Sequence, residues 1–338
     1  MTATQAPTRL AITMGDPAGI GPEIIVKAAH ALRERIEGGR LALQVCGSAQ
    51  ALQRAEQQLG LAPTPQPLYG TIDVGPVELP QLGQVTPAGG EWAYRAVKRA
   101  VELVQGGQAQ AIVTAPLSKE ALHLAGHHFE GHTELLAHLT GQRDAVMMLA
   151  HDAMRVSHVT THCALSEVPG RVTPQRLERV FRVTADALKA LGVTKPRIAV
   201  AGLNPHSGEG GILGKEDDAI IRPAIERFAA ATGIEMHGPV PGDTVFIKLR
   251  AGQYDAVVAM FHDQGHIPVK LLGFNVDPAT GKWQAISGVN ITLGLPILRT
   301  SVDHGTAFDI AGKGLANADS LVDAVDYAGK LIEGKLIQ

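Results

Sequence analysis

Residues 9–36 read RLAITMGDPAGIGPEIIVKAAHALRERI, and this stretch decides the fold. Its first residues, Arg9–Thr13, form an apolar run that is typical of a buried strand. A glycine-rich turn, Gly15–Gly21, follows, and Pro22 suits the first position of a helix because the N–H that proline lacks needs no partner there. Apolar residues at helical spacing continue to Ile36. The stretch therefore predicts a strand–turn–helix unit of a parallel sheet.

The same alternation of short apolar runs and helical patterns continues along the chain. Further strands are expected at 41–46, 109–114, 155–161, 197–203 and 254–261, and helices at 91–104, 174–192 and 216–232. Pro223 is expected to kink or split the last of these helices, and Thr173 to cap the helix that begins at Pro174. The segment 61–89 is interpreted as a loop with at most one short strand. Together these patterns predict an α/β fold with mostly parallel sheets.

Composition and charge narrow the class of protein. The 338 residues suggest about two domains. Lys and Arg total 30 against 33 Asp and Glu, a net charge of −3 without a basic run, so we expect no nucleic acid and no membrane as partner. No apolar run is long enough for a membrane span, and the N-terminus does not read as a signal peptide. Cys46 and Cys163 exclude a disulfide framework, which favours a cytoplasmic location.

Two glycine-rich segments fail the test for a Rossmann dinucleotide site. In the turn the glycines stand at positions 15, 19 and 21, and in 208–214 Leu213 occupies the place of the last glycine, so neither matches G-x-G-x-x-G. Two interpretations of Gly15–Gly21 remain open. It is either a tight connection between strand and helix, or a helix N-terminus whose backbone N–H groups bind an anion.

Three histidines occupy equivalent places in the predicted topology. His162, His206 and His262 each follow a predicted strand, and the carboxyl ends of parallel strands gather at one edge of a sheet. Three imidazoles at that edge can bind a divalent metal and leave coordination positions for a substrate. The alternative is that each histidine is a hydrogen-bonded structural group.

Two acidic residues near this edge have two interpretations each. Asp263 either orients His262 or accepts a proton, or it is a helix N-cap. Asp243 has the same functional interpretations, and its alternative is a turn residue. Cys163 is interpreted as a buried hydrophobic residue rather than a nucleophile.

A second set of polar residues is suited to anions. His132 and Thr133 precede an apolar helical segment, where Thr133 is a candidate N-cap and His132 would lie beside an anion bound at the helix N-terminus. Lys270, Asn290 and Arg299 accompany the apolar stretch 289–298, where buried cations need a partner such as a phosphate or carboxylate. The alternative for each cation is a surface salt bridge.

Several long motifs carry a family resemblance. They are 12-ITMGDPAGIGPE-23, 131-GHTE-134, 204-NPH-206, 262-HDQG-265, 288-GVNITLGLP-296 and 303-DHGT-306. In this order they resemble the 4-hydroxythreonine-4-phosphate dehydrogenase family over residues 9 to 315. The resemblance implies the two-domain α/β/α architecture of isocitrate and isopropylmalate dehydrogenases, which binds NAD or NADP without the Rossmann fingerprint. On that basis we expect one domain of residues 1–130 plus 300–338 and a second of residues 131–299.

The resemblance also implies a reaction and a site. We expect a homodimer with the active site at its interface and one divalent metal per subunit on His162, His206 and His262. Imidazole ligands favour Zn, with Co, Mn or Mg as other options. The implied substrate-binding residues are His132, Thr133, Lys270, Asn290 and Arg299. The implied reaction is NAD- or NADP-dependent oxidation and decarboxylation of 4-phosphooxy-L-threonine to 3-amino-2-oxopropyl phosphate, in pyridoxal phosphate biosynthesis.

The sequence leaves alternatives open for the proton acceptor, the substrate and the class of function. Asp263, Asp243 and Lys270 are all candidates for the proton acceptor. Residues 274–287 look like an insertion, and 265-GHIPVKLLG-273 resembles a branch that oxidises D-threonate or D-erythronate 4-phosphate. From the residues alone, a metal-dependent lyase or hydrolase, or a small-molecule binding protein with a structural metal, is also compatible with three histidines.

Overall fold

The structure is a computed structural model, and it describes residues 6–61, 66–75, 78–142, 144–279 and 283–336. Its strands are β1 Thr8–Thr13, β2 Leu41–Gly47, β3 Gly70–Asp73, β4 Ala111–Thr114, β5 Val146–His151, β6 Met154–His158, β7 Arg197–Ala201, β8 Glu235–Val240, β9 Ala256–Ala259, β10 Phe274–Val276, β11 Trp283–Ile286, β12 Val289–Leu293 and β13 Leu298–Val302.

The α-helices are α1 Gly21–Ala31, α2 Arg33–Glu37, α3 Ala49–Leu59, α4 Pro87–Gln105, α5 Lys119–Leu124, α6 His132–Thr140, α7 Val168–Arg171, α8 Pro174–Ala190, α9 Arg222–Thr232, α10 Gly242–Arg250, α11 His262–Gly273 and α12 Asp319–Glu333. Among the described residues, no helix combines the length and the apolar character needed to cross a membrane. The α/β class predicted from the sequence is confirmed.

The chain divides into two compact units. Of the described residues, those within 1–142 and 295–332 form unit one, and those within 144–294 and 333–336 form unit two. Residues 131–142 pack in unit one because α6 lies on α4. The sequence interpretation assigns 131–299 to the second domain and 300–338 to the first, so the two divisions differ at 131–142, 295–299 and 333–336.

The strands of unit one run parallel, in the order β3-β2-β1-β4-β13. Thr13 at the end of β1 is in register with both Cys46 and Thr114, and Thr114 is in register with Ser301. The carboxyl ends of these four strands therefore lie level at one edge. Since β1 has β2 on one side and β4 on the other, this edge contains a point where the strand order reverses, which is where open α/β sheets bind ligands.

Unit two has strand order β12-β5-β6-β9-β7-β8. β5 pairs antiparallel with β12 and β6, while β6, β9, β7 and β8 pair parallel. A tight turn with Asp152 at φ 51° joins β5 to β6. The expectation of mostly parallel sheets is confirmed. The antiparallel strands were not predicted, because β5 is apolar on both faces and its sequence lacks the polar alternation of a half-exposed strand.

Local sequence signals explain several helix ends. The predicted cap at Thr173 is confirmed, since its hydroxyl accepts from the N–H of Arg176 at 3.2 Å. Pro223 falls in the first turn of α9, after a π-helical turn at Asp217–Ile221. The predicted cap at Thr133 is wrong: Gly131 occupies the N-cap position of α6, and Thr133 is the second helical residue.

Candidate functional site

Two of the three predicted metal ligands lie together in unit two. Beyond β6, Val159 and Thr160 continue the pairing with the end of β9, since their N–H groups donate to Ala259 and Met260. This extension brings His162 to His262, whose ring centroids are 5.8 Å apart. Both imidazoles line a cavity of about 210 Å³.

Cys163 lines the same cavity and is half-buried. Its predicted burial is therefore only partial. A thiol beside two imidazoles adds a soft donor to the walls of the cavity.

Asp263 fixes the chemical form of His262. Its Oδ1 lies 2.7 Å from Nδ1 of His262, so the carboxylate accepts the Nδ1–H and leaves Nε2 as the nitrogen that can bind a metal. The alternative interpretation of Asp263 as an N-cap is wrong, because Phe261 occupies that position and Asp263 is the second residue of α11. The orienting role is the one that the geometry supports.

His206 lies in an unusual left-handed turn. From His206 to Gly211 every φ is positive, and three of these residues, His206, Ser207 and Glu209, are not glycine. Non-glycine residues in this conformation cost on the order of 1–2 kcal/mol each, and such strain concentrates at functional sites. Nδ1 of His206 lies 3.3 Å from Oε2 of Glu209, which again leaves Nε2 for a metal.

A buried carboxylate holds this turn in place. Asp217 is completely buried and accepts from the backbone N–H groups of Leu203 and Asn204 and from Nδ2 of Asn204, at 2.9–3.1 Å. Gly208 and Gly214 leave no space for a Cβ, because Gly214 O and the Asn204 side chain occupy it. His206 is not among the described residues that line the cavity of His162 and His262.

One face of α11 carries three polar residues at intervals of four: His262, His266 and Lys270. His266 stacks on His262 with centroids 3.6 Å apart, and burial, reinforced by the neighbouring His158 and His262, lowers the pKa of His266 to about 2. Burial also lowers the pKa of His158 to about 4. Nζ of Lys270 lies 5.1 Å from the ring centroid of Phe274. Sequence reasoning missed His266, although its spacing from His262 was a usable signal.

The remaining predicted residues of unit two lie on separate elements. Asn290 is on β12, and its Oδ1 is buried without a hydrogen-bond partner in the described part of the chain. Asp243 is an exposed residue in the first turn of α10, not a turn residue. Phe274 to Val276 pairs with Trp283 to Ile286 in a small hairpin within the suspected insertion, of which residues 280–282 lie outside the described residues.

Unit one contains a buried cation. Arg299 on β13 is 3% exposed, and its Nε and Nη2 donate to the hydroxyl of Thr114 at 3.1 and 2.7 Å. Burial lowers the pKa of Arg299 to about 9, although the charge of Glu134 acts to raise it. A surface salt bridge, the alternative for Arg299, is excluded by this burial.

His132 begins α6 close to this guanidinium. Its Nε2 is buried and has no hydrogen-bond partner among the described residues. Burial, reinforced by the charge of Arg299, lowers the pKa of His132 well below its ordinary value, so the imidazole is neutral at pH 7. With Thr133 next to it, the first turn of α6 presents a neutral imidazole and a hydroxyl near a fixed positive charge.

The glycine-rich turn of unit one is a tight connection in which several N–H groups donate to the protein itself. The N–H groups of Asp16, Gly19 and Ile20 donate to Pro116, Asp16 and Thr306, each at 3.0 Å. A Cβ at Gly15, where φ is +69°, would overlap Pro116 O. This bonding supports the interpretation as a strand–helix connection over that of an anion site.

Asp16, within this turn, is a buried titratable residue that sequence reasoning missed. Its Oδ1 accepts from Ala18 at 2.9 Å, while Oδ2 is buried without a partner in the described ranges. Burial raises its pKa from 3.8 to about 6, against the lowering effect of the Ala18 N–H. The carboxylate occupies the space that a Cβ of Gly89 would need, 2.5 Å from Oδ1, so the glycine in the first turn of α4 makes room for it. An Asp shortly after a strand, in a glycine-rich turn, was the available signal.

The chain is similar in sequence and in structure to known enzymes. Residues 20–328 match the family described as pyridoxal phosphate biosynthetic protein PdxA. The D-threonate 4-phosphate dehydrogenase of Salmonella typhimurium is 48% identical over 335 residues, covering 95% of this chain and 98% of that protein. The 4-hydroxythreonine-4-phosphate dehydrogenase of Beijerinckia indica is 44% identical, covering 95% and 94%. A crystal structure of 4-hydroxythreonine-4-phosphate dehydrogenase from Klebsiella pneumoniae has a TM-score of 0.76 and 42% identity, covering 96% and 99%.

Proposed function

Since the chain belongs to the pyridoxal phosphate biosynthetic protein PdxA family, whose similar members are dehydrogenases, we propose that it oxidises and decarboxylates a phosphorylated β-hydroxy acid with NAD or NADP and a divalent metal. The observation that carries the proposal is the pair His162 and His262 in one cavity, with Asp263 on Nδ1 of His262. The reaction class is that of an oxidoreductase.

The donor set fits a metal of the zinc type. Zn–N bonds of about 2.0–2.1 Å place two imidazole ligands with ring centres about 5 Å apart, close to the observed spacing. The observed centroid distance between His162 and His262 is 5.8 Å. His206 is proposed as the third ligand, because its Nδ1 is likewise held by a neighbouring carboxylate, that of Glu209. Imidazoles favour Zn, Co or Mn over Mg.

We propose that the protein is a homodimer with its active site at the interface. Next to the polar face of α11, Ile267 and Leu271 are 64% and 78% exposed, one turn apart on the helix. Large apolar side chains arranged in this way are typical of protein interfaces. We also propose a cytoplasmic location. Cys46 and Cys163 are free thiols, which is usual in a reducing compartment.

The substrate-binding roles are assigned within each unit. In unit one, Arg299 supplies a buried positive charge, and His132 and Thr133 supply polar groups at the start of α6. Burial disfavours the charged form of Arg299. A dianionic phosphate or a carboxylate bound beside it would stabilise that form. In unit two, Lys270 and the buried Oδ1 of Asn290 are proposed to bind the other charged or polar groups of the substrate.

The chemistry requires that the substrate hydroxyl lose a proton while its carbon transfers hydride to NAD or NADP. A bound divalent metal supplies Lewis acidity that lowers the pKa of such a hydroxyl. Of the three candidate proton acceptors, Asp263 is occupied by His262 and Asp243 is exposed on α10. We therefore propose Lys270, on the same helix face as His262, as the proton acceptor. The resulting β-keto acid loses CO₂.

Of the three candidate substrates, D-threonate 4-phosphate and 4-phosphooxy-L-threonine are those that the names of the relatives support, and they differ chiefly at C2. D-threonate 4-phosphate carries a hydroxyl there, and oxidation at C3 with loss of CO₂ yields dihydroxyacetone phosphate. 4-Phosphooxy-L-threonine carries an ammonium and yields 3-amino-2-oxopropyl phosphate. D-threonate enzymes at 48% and 46% identity favour the first, and a 4-hydroxythreonine enzyme at 44% supports the second.

The test is nucleotide reduction, followed by absorbance at 340 nm. The protein, with Zn, Co or Mn added, is mixed with NAD or NADP and with each of 4-phosphooxy-L-threonine, D-threonate 4-phosphate and D-erythronate 4-phosphate. We expect reduction with at least one substrate, its loss with EDTA, and its return on adding metal. The absence of reduction with every combination would contradict the proposal and favour a lyase, a hydrolase or a binding protein.

A further inference from the structure

Three imidazoles lie in a row in unit two, one pair stacked and the other pair tilted. His266 lies on His262 with centroids 3.6 Å apart and ring planes 14° apart. On its other side, the ring of His158 lies 4.7 Å from His266 at 51°. This row of rings runs from a buried residue at the end of β6, through α11, to a residue that lines the cavity.

Each inner ring is held by the backbone. His158 is completely buried, and its Nδ1 lies 3.3 Å from the carbonyl oxygen of Met147, which accepts its N–H. Nδ1 of His266 lies 2.9 Å from the carbonyl oxygen of His262, one helical turn earlier. Because each Nδ1 donates to a carbonyl group, neither ring can turn about its bonds without losing that hydrogen bond.

The sequence of α11 leaves space for this arrangement. A Cβ at Gly265 would overlap Nε2 of His158 and lie 2.8 Å from a methyl group of Val156. Glycine at this position allows the helix to approach β6 closely enough for His158 to reach His266. The glycine and the two histidines are thus parts of one packing arrangement.

We propose that His266, supported by His158, is a positioning residue that holds the imidazole of His262 in its metal-binding orientation. This inference rests on the proposed function, because it takes His262 as a metal ligand. His262 needs such support, since it is the first residue of its helix and its side chain is 37% exposed. Asp263 holds one edge of the His262 ring, and His266 holds its face. Together they restrict both the rotation and the tilt of the ring.

The competing interpretation is that this row of rings only fills the interior of unit two. In that case, replacing His266 would change stability and leave metal binding unaffected. Two variants separate these interpretations. His266→Phe keeps an aromatic face against His262, whereas His266→Gln keeps a polar side chain of similar length without the ring.

The experiment measures the affinity of the metal-free protein for Zn²⁺ by competition with a chromogenic chelator, and the visible spectrum of the Co²⁺ form. For His266→Gln we expect about a 10- to 100-fold loss of Zn²⁺ affinity and an altered Co²⁺ spectrum. His266→Phe should recover most of the affinity. The matched control is His127→Gln in unit one, which removes an imidazole stacked on Tyr94 at 3.6 Å and should leave both readouts unchanged.

The outcomes separate this inference from the proposed function. A folded His266→Gln variant, verified by circular dichroism, with wild-type Zn²⁺ affinity and Co²⁺ spectrum would overturn the positioning role alone. So would a His266→Phe variant that binds Zn²⁺ more weakly than His266→Gln. If the wild-type protein binds no Zn²⁺, or binds it equally well after His262→Ala, the proposed metal site itself fails.

Discussion

Arg299 donates from both Nε and Nη2 to the hydroxyl oxygen of Thr114, at 3.1 and 2.7 Å, in a part of unit one where Arg299 is 3% exposed. Folding desolvates the guanidinium, and the neighbouring charge of Glu134 offsets only part of that effect. An anionic ligand beside Arg299 would therefore further stabilise its charged form.

Replacing Arg299 should separate stability from function. For Arg299→Met we expect a protein that still folds cooperatively, with a measurable free energy of unfolding, and a KM for the phosphorylated substrate that rises about 10- to 100-fold. Urea unfolding and steady-state kinetics at 340 nm measure the two quantities. Arg197→Met, which removes a pair with Asp255, is the control and should leave KM unchanged. A large loss of stability with an unchanged KM would show that Arg299 is structural.

The buried carboxyl of Asp16 predicts a specific dependence of stability on pH. Its pKa in the folded protein is about 6, above its ordinary value of 3.8. Asp16 therefore contributes most to the free energy of unfolding below pH 3.8, where the carboxyl is protonated. That contribution is lost as the pH rises through 6, and the free energy of unfolding falls by at most about 3 kcal/mol. Asp16→Asn should therefore be more stable than the wild type at pH 7.5, and the difference should shrink towards pH 4.5.

Urea unfolding at pH 4.5, 6 and 7.5 measures this difference. Asp73→Asn is the contrasting control, because both oxygens of Asp73 accept backbone N–H groups, from Ala49 and Gly75, so this variant should lose stability at pH 7.5. An Asp16→Asn protein that is less stable than the wild type at pH 7.5 would mean that the buried charge is better solvated than its surroundings indicate.

Gly265 should not tolerate a side chain. Gly265→Ala would place a methyl group against Nε2 of His158 and Val156, and we expect a loss of about 1–3 kcal/mol in the free energy of unfolding from overpacking. Gly170→Ala is the matched control, because no atom lies within 4 Å of the added Cβ there. Chemical denaturation of both variants measures the effect, and equal stability of the two would disprove the close approach of α11 to β6.

The left-handed turn should respond to relief of its strain. Glu209 has φ 44°, so Glu209→Gly should raise the free energy of unfolding by up to about 1 kcal/mol. The same change removes the carboxylate beside Nδ1 of His206 and should weaken Zn²⁺ binding. Glu167→Gly, at a residue with negative φ, is the control for loss of an exposed carboxylate. Lower stability in Glu209→Gly would show that the turn carries little strain.

A charge on the exposed face of α11 should prevent the proposed dimer. Leu271→Lys is expected to yield a monomer with little activity, because Leu271 is 78% exposed next to the polar face of the helix. Size-exclusion chromatography with light scattering measures the mass. Leu124→Lys, at another exposed leucine (55%), should leave the mass unchanged. A dimeric Leu271→Lys protein would place the interface elsewhere.

Much of the local structure could be predicted because it depends on neighbours in sequence. The strand before Gly15, the helix after it and the Thr173 cap follow from hydrophobic spacing and from one hydroxyl near one N–H. The N-cap of α6 was misplaced at Thr133 because a hydroxyl is the usual signal, whereas Gly131 lacks a side chain that could indicate the cap.

The candidate site was predictable in composition but not in arrangement. His162 and His262 were identified from their places after strands, and their proximity follows from the parallel pairing of β6 and β9. The role of Asp263 beside His262 depends on a side-chain rotamer, and the left-handed turn at His206 depends on Asp217, eleven residues later in the chain. A single sequence contains no pattern that specifies either.

By itself, then, the amino-acid order determined the alternating α/β organisation, the family motifs and the residue types available for metal and anion binding, since each is a property of adjacent residues. Only the tertiary structure decided that Arg299 and Asp16 are buried, that His266 stacks on His262, and that His206 lies in a left-handed turn. Burial and stacking depend on which distant segments pack together, and desolvation by those segments sets the charge state of each group.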